Sequence, residues 1–179
     1  MREPSAVQHR EAAALPLPLV TADTLHNRKT ELDVMIARRA FELFEARGGG
    51  HGHDFDDWIT AEVEVLRPYR HDLKESAEAV IFQAALPCSF TPEQLSVSVE
   101  PRRLTISGER ELEVECVGDV PALVEKRTER IFHVEELPVD VDPSGTIATI
   151  KGELLEIMMR KVIPVNAPRE TTQAASSGR

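Results

Sequence analysis

At Arg70 the apolar spacing of this chain changes from helical to extended, and that switch limits the folds open to it. Before it, Leu32, Ile36, Ala40, Leu43 and Phe44 recur at helical intervals, as do Phe55, Trp58, Ile59, Val63 and Leu66. After it, Val80, Phe82 and Ala84 alternate with Ile81, Gln83 and Ala85, and Leu86-Pro87 closes the strand. Leu95, Val97 and Val99 alternate with Ser96 and Ser98, and Leu104 and Ile106 with Thr105 and Ser107, ending at Gly108. Leu112, Val114 and Cys116 suggest another short strand. Ile131, Val134 and Leu137 run to Pro138, Thr146 to Ile150 is a short strand, and Leu155, Ile157 and Met159 alternate in the last one. Short strands at this density, with turn signals between them, read as an antiparallel β-sandwich.

The helical part has its own punctuation. Thr30 and Asp33 suit a helix start, one as hydroxyl cap and the other as a charge favoured by the dipole. Gly48-Gly49-Gly50 ends that helix, Asp54 and Asp57 start a second, and Pro68 bounds it. The expected division is a flexible arm over 1–29, a helix-loop-helix domain over 30–67, a sandwich over 71–162 and a flexible tail over 163–179. The helical pair is too small for a large core of its own, so it should also dock on the sandwich or on another subunit. The sticky part of the arm is Leu15, Leu17, Leu19 and Val20. That run is short and holds two prolines, so it does not read as a signal-peptide core.

Charge and cysteine usage narrow the function. Of the net charge of −10, residues 71–165 carry −8 (10 basic and 18 acidic groups). An acidic sandwich does not suit the phosphate backbone of nucleic acid, and it favours solubility. No apolar run has the length of a membrane span. The two cysteines, Cys88 and Cys116, form no C-x-x-C pair, and they suit a reducing, cytoplasmic setting. His51, His53, Asp54, Asp56 and Asp57 have metal-ligand chemistry, but a polar inter-helix loop with a helix cap accounts for them, and no metal is expected. Gly48-Gly49-Gly50 follows a helix rather than a strand, unlike a phosphate loop. Ser107-Gly108-Glu109 lacks the base and orienter of a nucleophile, and Cys88 reads as a structural thiol. No catalytic residues and no cofactor are expected.

Five segments, in order, resemble the α-crystallin domain of the small heat-shock proteins. They are Phe90-Thr-Pro-Glu-Gln-Leu95 with Ser96-Val-Ser-Val99, then Leu104-Thr-Ile-Ser-Gly-Glu-Arg110, Leu137-Pro-Val-Asp-Val-Asp-Pro143, and Ala148-x-x-x-Gly152-x-Leu154. Preceding them, Ile36 to Arg47 and His51 to Glu62 resemble a short bacterial helical domain of unknown function. The resemblance implies an immunoglobulin-like sandwich and an ATP-independent chaperone. It would hold partly unfolded clients and assemble through dimers into larger oligomers. It also implies a peptide or client groove lined by Val97, Val99, Thr146, Ala148 and Ile150, with Ile163 and Val165 of Ile163-Pro164-Val165 as the tail anchor. Ile163 follows Lys161 almost directly, so this segment either extends the last strand or reaches a neighbour. His133 stands where the family often places an Arg at the dimer interface, so assembly is expected to respond to pH near neutrality. The alternative reading is a non-catalytic adaptor or co-chaperone on the same fold, monomeric or dimeric, with one defined partner.

Overall fold

The structure is a computed structural model that describes residues 14–116 and 123–162. A short strand β1 (Leu15–Pro16) precedes helices α1 (Ala22–Ala46) and α2 (Asp54–Val65). Strands β2 (Arg70–Glu75), β3 (Ala79–Ala85), β4 (Leu95–Glu100), β5 (Arg103–Cys116), β6 (Leu123–Glu136), β7 (Val141–Lys151) and β8 (Leu154–Lys161) follow. They form a five-stranded sheet in the order β1-β7-β8-β3-β2 and a three-stranded sheet β4-β5-β6. Every ladder in both sheets is antiparallel. This is the expected sandwich, and its core lies between the sheets on Phe82, Leu95, Leu104, Ile106, Ile131, Leu155, Ile157 and Met159.

The motifs read from the sequence have local physical causes. In Phe90-Thr-Pro-Glu-Gln-Leu95, the Thr91 N–H donates to the Gln94 side-chain oxygen at 3.0 Å, capping the turn at Pro92–Gln94 that aims β4. Asp142 accepts from the Ser144 N–H at 2.9 Å and from its hydroxyl at 2.7 Å. These bonds stabilise the bulge between Asp142 and Ile147 in β7. Gly152 opens the two-residue turn from β7 to β8 at φ 62, a left-handed conformation that glycine adopts without strain.

Four expectations change. Helix α1 begins at Ala22, not at Thr30, and residues 15–20 lie on the sandwich, so the arm is not flexible to residue 29. Charge-rich β2 lacks the apolar alternation that marks a strand, yet it pairs along β3 from Arg70↔Ala85 to Glu75↔Val80. Gly108 does not end a strand: it lies inside β5, paired with Leu95 on one side and Ile131 on the other. A Cβ there would sit 2.8 Å from Leu95 Cδ2 and 2.9 Å from Ile131 Cγ1, so two buried side chains occupy the space above it. Finally, the segment of Leu112, Val114 and Cys116 continues β5 as a long hairpin arm with β6, paired out to Cys116↔Leu123.

The helical pair docks on the outer face of the three-stranded sheet. Leu25, Leu32 and Ile36 of α1 are buried, and α1 packs on β4 and β5. That cover explains why Ser98, Thr105 and Ser107, on the face that should meet water, are buried. Their small side chains allow the helix to approach closely. Arg28 of α1 pairs with Glu109, and Arg67, just past α2, donates its backbone N–H to the Arg130 carbonyl at 2.7 Å. Between the helices, Arg39 meets Glu64 at 2.5 Å and Arg47 meets Asp57 at 2.6 Å.

Candidate functional site

A sandwich of two open sheets has two seams where edge strands of opposite sheets face each other. Here one seam lies between β4 and β7, with the two-residue β1 added as the outermost strand beside β7, and the other between β6 and β2. Unpaired backbone at such edges can accept an added strand.

The residues expected to line a groove fall along the β4–β7 seam, and the chain's own amino-terminal segment runs through it. Leu15 registers with Ile150 and Pro16 with Thr149, and the Leu17 N–H donates to the Ala148 carbonyl at 2.9 Å. The segment then crosses to the other sheet, where Leu19 bridges Val97 and the Val20 N–H donates to the Val97 carbonyl at 2.8 Å. The local sequence dictates this behaviour. Pro16 and Pro18 hold the chain extended and cannot donate, so within residues 15–19 only the three leucines have an amide to give. Leu17 enters the core at 7 % exposure, while Leu15 and Leu19 remain about half exposed at 49 % and 42 %. Burying one leucine stabilises by about 1.5–3 kcal/mol, and each backbone hydrogen bond by about 1 kcal/mol.

Of the predicted groove residues, the structure brings Val97, Ala148 and Ile150 against this segment. Val99 is partly buried against the core instead. Thr146 sits at the bulge, its hydroxyl donating to the Asp142 carbonyl at 3.4 Å. Ile163 and Val165 lie outside the described residues. The signal for the occupied groove was present in the alternating Leu-Pro-Leu-Pro-Leu of residues 15–19, which has the period of a strand.

The β6–β2 seam carries His133. It is half-buried on β6, its Nε2 lies 2.9 Å from a Glu135 carboxylate oxygen, and its ring centroid is 4.3 Å from that of His71 on β2. Nearby, Glu129 of β6 is held by Arg110 at 3.0 Å and Arg67 at 3.1 Å. A hydrogen bond from the Cys88 thiol, and then these two guanidiniums, draw the Glu129 carboxyl below its ordinary range against the opposing effect of burial. Burial, and after it the bond to this carboxylate, disfavour the Cys88 thiolate, which suits a structural thiol. His53 approaches Asp56 at 3.4 Å on an exposed loop, and His51 packs against Phe44.

A third surface lies on α2. Phe55, Trp58, Ile59 and Val63 share one face by helical spacing and are all exposed, Phe55 at 75 % and Val63 at 55 %. The two helices pack on each other. The residue α2 actually buries is Ala61.

The comparisons with known proteins divide the chain in the same place as its structure. Residues 31–67 match the family described as protein of unknown function DUF2934. The chain is 31% identical over 109 residues to the 17.8 kDa class I heat shock protein of Arabidopsis thaliana, covering 60% of this chain and 69% of that one. To the 17.5 kDa class I heat shock protein of Glycine max it is 31% identical over 108 residues, covering 60% and 70%. Among solved structures it is similar to a small heat-shock protein of Xylella fastidiosa, at 22% identity and a TM-score of 0.43 over 57% of this chain and 93% of that one. The hspA of Xanthomonas axonopodis is 29% identical with a TM-score of 0.42, over 52% and 92%. No described helix is long and apolar enough to cross a membrane. With two curated relatives matched over more than two thirds of their length, the chain belongs to the small heat-shock proteins, a family of chaperones rather than enzymes.

Proposed function

We propose that this chain is an ATP-independent holdase that binds partly unfolded proteins and keeps them from aggregating. The observation that carries this reading is the exposed apolar face of α2, Phe55, Trp58, Ile59 and Val63. Holding a client requires apolar surface that is solvated before the client arrives, and burial on contact supplies roughly 25 cal/mol per Å². No nucleotide is needed for affinity alone. The β4–β7 seam is a second client surface, uncovered when residues 15–20 leave it, and Ile163-Pro164-Val165 of a neighbouring copy is a competing occupant. The dimer forms at the β6–β2 seam, where the open edge of β2 and His133 meet the hairpin arm of a second copy. In this reading the units are an amino-terminal arm whose last residues strap the sandwich, the helical pair, the sandwich and a carboxy-terminal tail, working in the cytoplasm.

A filled groove also favours a second reading, an adaptor with one partner, because it leaves less free surface for clients. The two readings separate in one experiment: light scattering of a heat-labile client without ATP, beside a mass measurement of the protein. Suppression near stoichiometric ratio by a large assembly supports the holdase. No suppression, with a mass of one or two chains, removes it in favour of the adaptor.

A further inference from the structure

We propose that His71, His133 and Glu135 form a binding site for a divalent transition-metal ion of the zinc class, tying the two sheets together across the β6–β2 seam. The three ligand atoms lie within 4.8 Å of one another. His71 Nε2 is 3.4 Å from the same Glu135 Oε2 that His133 Nε2 approaches at 2.9 Å. Adjacent donors around a tetrahedral ion with bonds of about 2.0–2.1 Å stand about 3.3 Å apart, which the two separations from Glu135 approach, while the two imidazole donors close from no more than 4.8 Å.

The scaffold pre-orients the donors. His133 and Glu135 are two apart on one strand and so project to the same side, while His71 reaches them from the edge strand of the other sheet. Phe82, a core residue, stacks on His71 at 5.4 Å with an interplanar angle of 17° and lies 5.7 Å from His133, which restricts both rings. Tyr69 packs edge-on against both imidazoles. Its hydroxyl is buried and has no hydrogen-bond partner among the described residues, a deficiency that a water on the ion could relieve. A cleft of about 270 Å³, lined by Leu66, Tyr69, His71 and His133, opens beside the cluster and gives an ion its entry path.

Donor chemistry fixes the class of ion. Two imidazoles and one carboxylate suit zinc, copper or nickel, whereas magnesium and calcium take oxygen ligands. Three protein donors leave a fourth position for water or for a donor from a second copy.

The test uses the full chain stripped with chelator, titrated with zinc chloride and, separately, with cobalt chloride. We expect one ion per chain at micromolar concentration, a higher melting temperature with zinc but not with magnesium, and the intense visible bands of tetrahedral cobalt, abolished by zinc. His71→Ala and Glu135→Gln, both at partly exposed positions, should each weaken zinc binding more than about tenfold while leaving the chelated protein folded by circular dichroism. The His51→Ala/His53→Ala double variant should bind as the parent does. Absence of stoichiometric zinc binding overturns the proposal. So does binding that survives His71→Ala and Glu135→Gln, or that disappears in the His51/His53 variant.

Discussion

The Leu17 N–H donates to the Ala148 carbonyl at 2.9 Å, so the edge of the five-stranded sheet is closed by the chain's own amino-terminal segment. That contact sets the outcome of Leu17→Asp. Charge at a buried core position expels the segment, but the segment can peel away without unfolding the sandwich. Amides of the β4–β7 seam should exchange faster and an apolar dye should bind more strongly, while the melting temperature falls only modestly. If global stability falls and the seam stays protected, the segment is a part of the core rather than a strap.

The row Leu95, Gly108, Ile131 predicts a different kind of failure. Gly108→Ala adds a methyl between two fully packed side chains and should cost about 1–3 kcal/mol, read as a lower urea midpoint at unchanged slope. Gly152 offers the control, because a Cβ there meets nothing within 4 Å while the backbone stays at φ 62. Gly152→Asn should therefore be tolerated better than Gly152→Val.

Cys88 should be inert in the folded protein. Burial, and after it the hydrogen bond to Glu129, push its thiol up to about 11. At pH 8 only about one thiol in a thousand is then the reactive thiolate. In a Cys116→Ser background, alkylation should be slow in buffer and rapid in urea. Rapid labelling of the folded protein would contradict the structural role.

The helix pair should loosen in acid. The hydrogen bond from Arg47 draws the Asp57 carboxyl below its ordinary value of 3.8. A depressed carboxyl contributes stability that is present above the unfolded value and lost as pH falls through the folded one. Helical circular dichroism of the parent should hold at pH 5 and decline below about 3.8. Arg47→Gln should remove that acid-dependent component.

Particular residues show what could be read from the sequence. Val97 and Ile106 declared their strands by alternation, and they are core in the structure. The strand at Arg70–Glu75 gave no such signal, because an edge strand of mainly charged residues has one wet face and little to bury. Gly108 carried the ordinary signal of a turn, and only the cross-strand neighbours reveal that it is a space requirement. Ser98 and Thr105 followed the two-residue period faithfully, but no period can announce that a helix covers their face. The family resemblance pointed to Val97, Ala148 and Ile150, and residues 15–20 lie along all three. That occupant was not legible, since Leu15–Leu19 has a strand's alternation without the length to distinguish it from an arm. The cluster of His71, His133 and Glu135 joins positions more than 60 apart in sequence, so it exists only once the sheets have stacked.

The exposed face of α2 carries the last prediction. Phe55→Ser with Ile59→Ser removes two solvated apolar side chains that the fold does not use. Surface substitutions of this kind usually change stability by less than about 0.5 kcal/mol each. Thermal unfolding should therefore be nearly unchanged, or slightly raised in reversibility as self-association weakens. Suppression of client aggregation should fall several-fold at equal protein concentration. If suppression persists in this variant and is lost instead when Leu17 is held in place by a disulfide designed across the seam, clients bind in the β4–β7 groove and the helical face serves assembly.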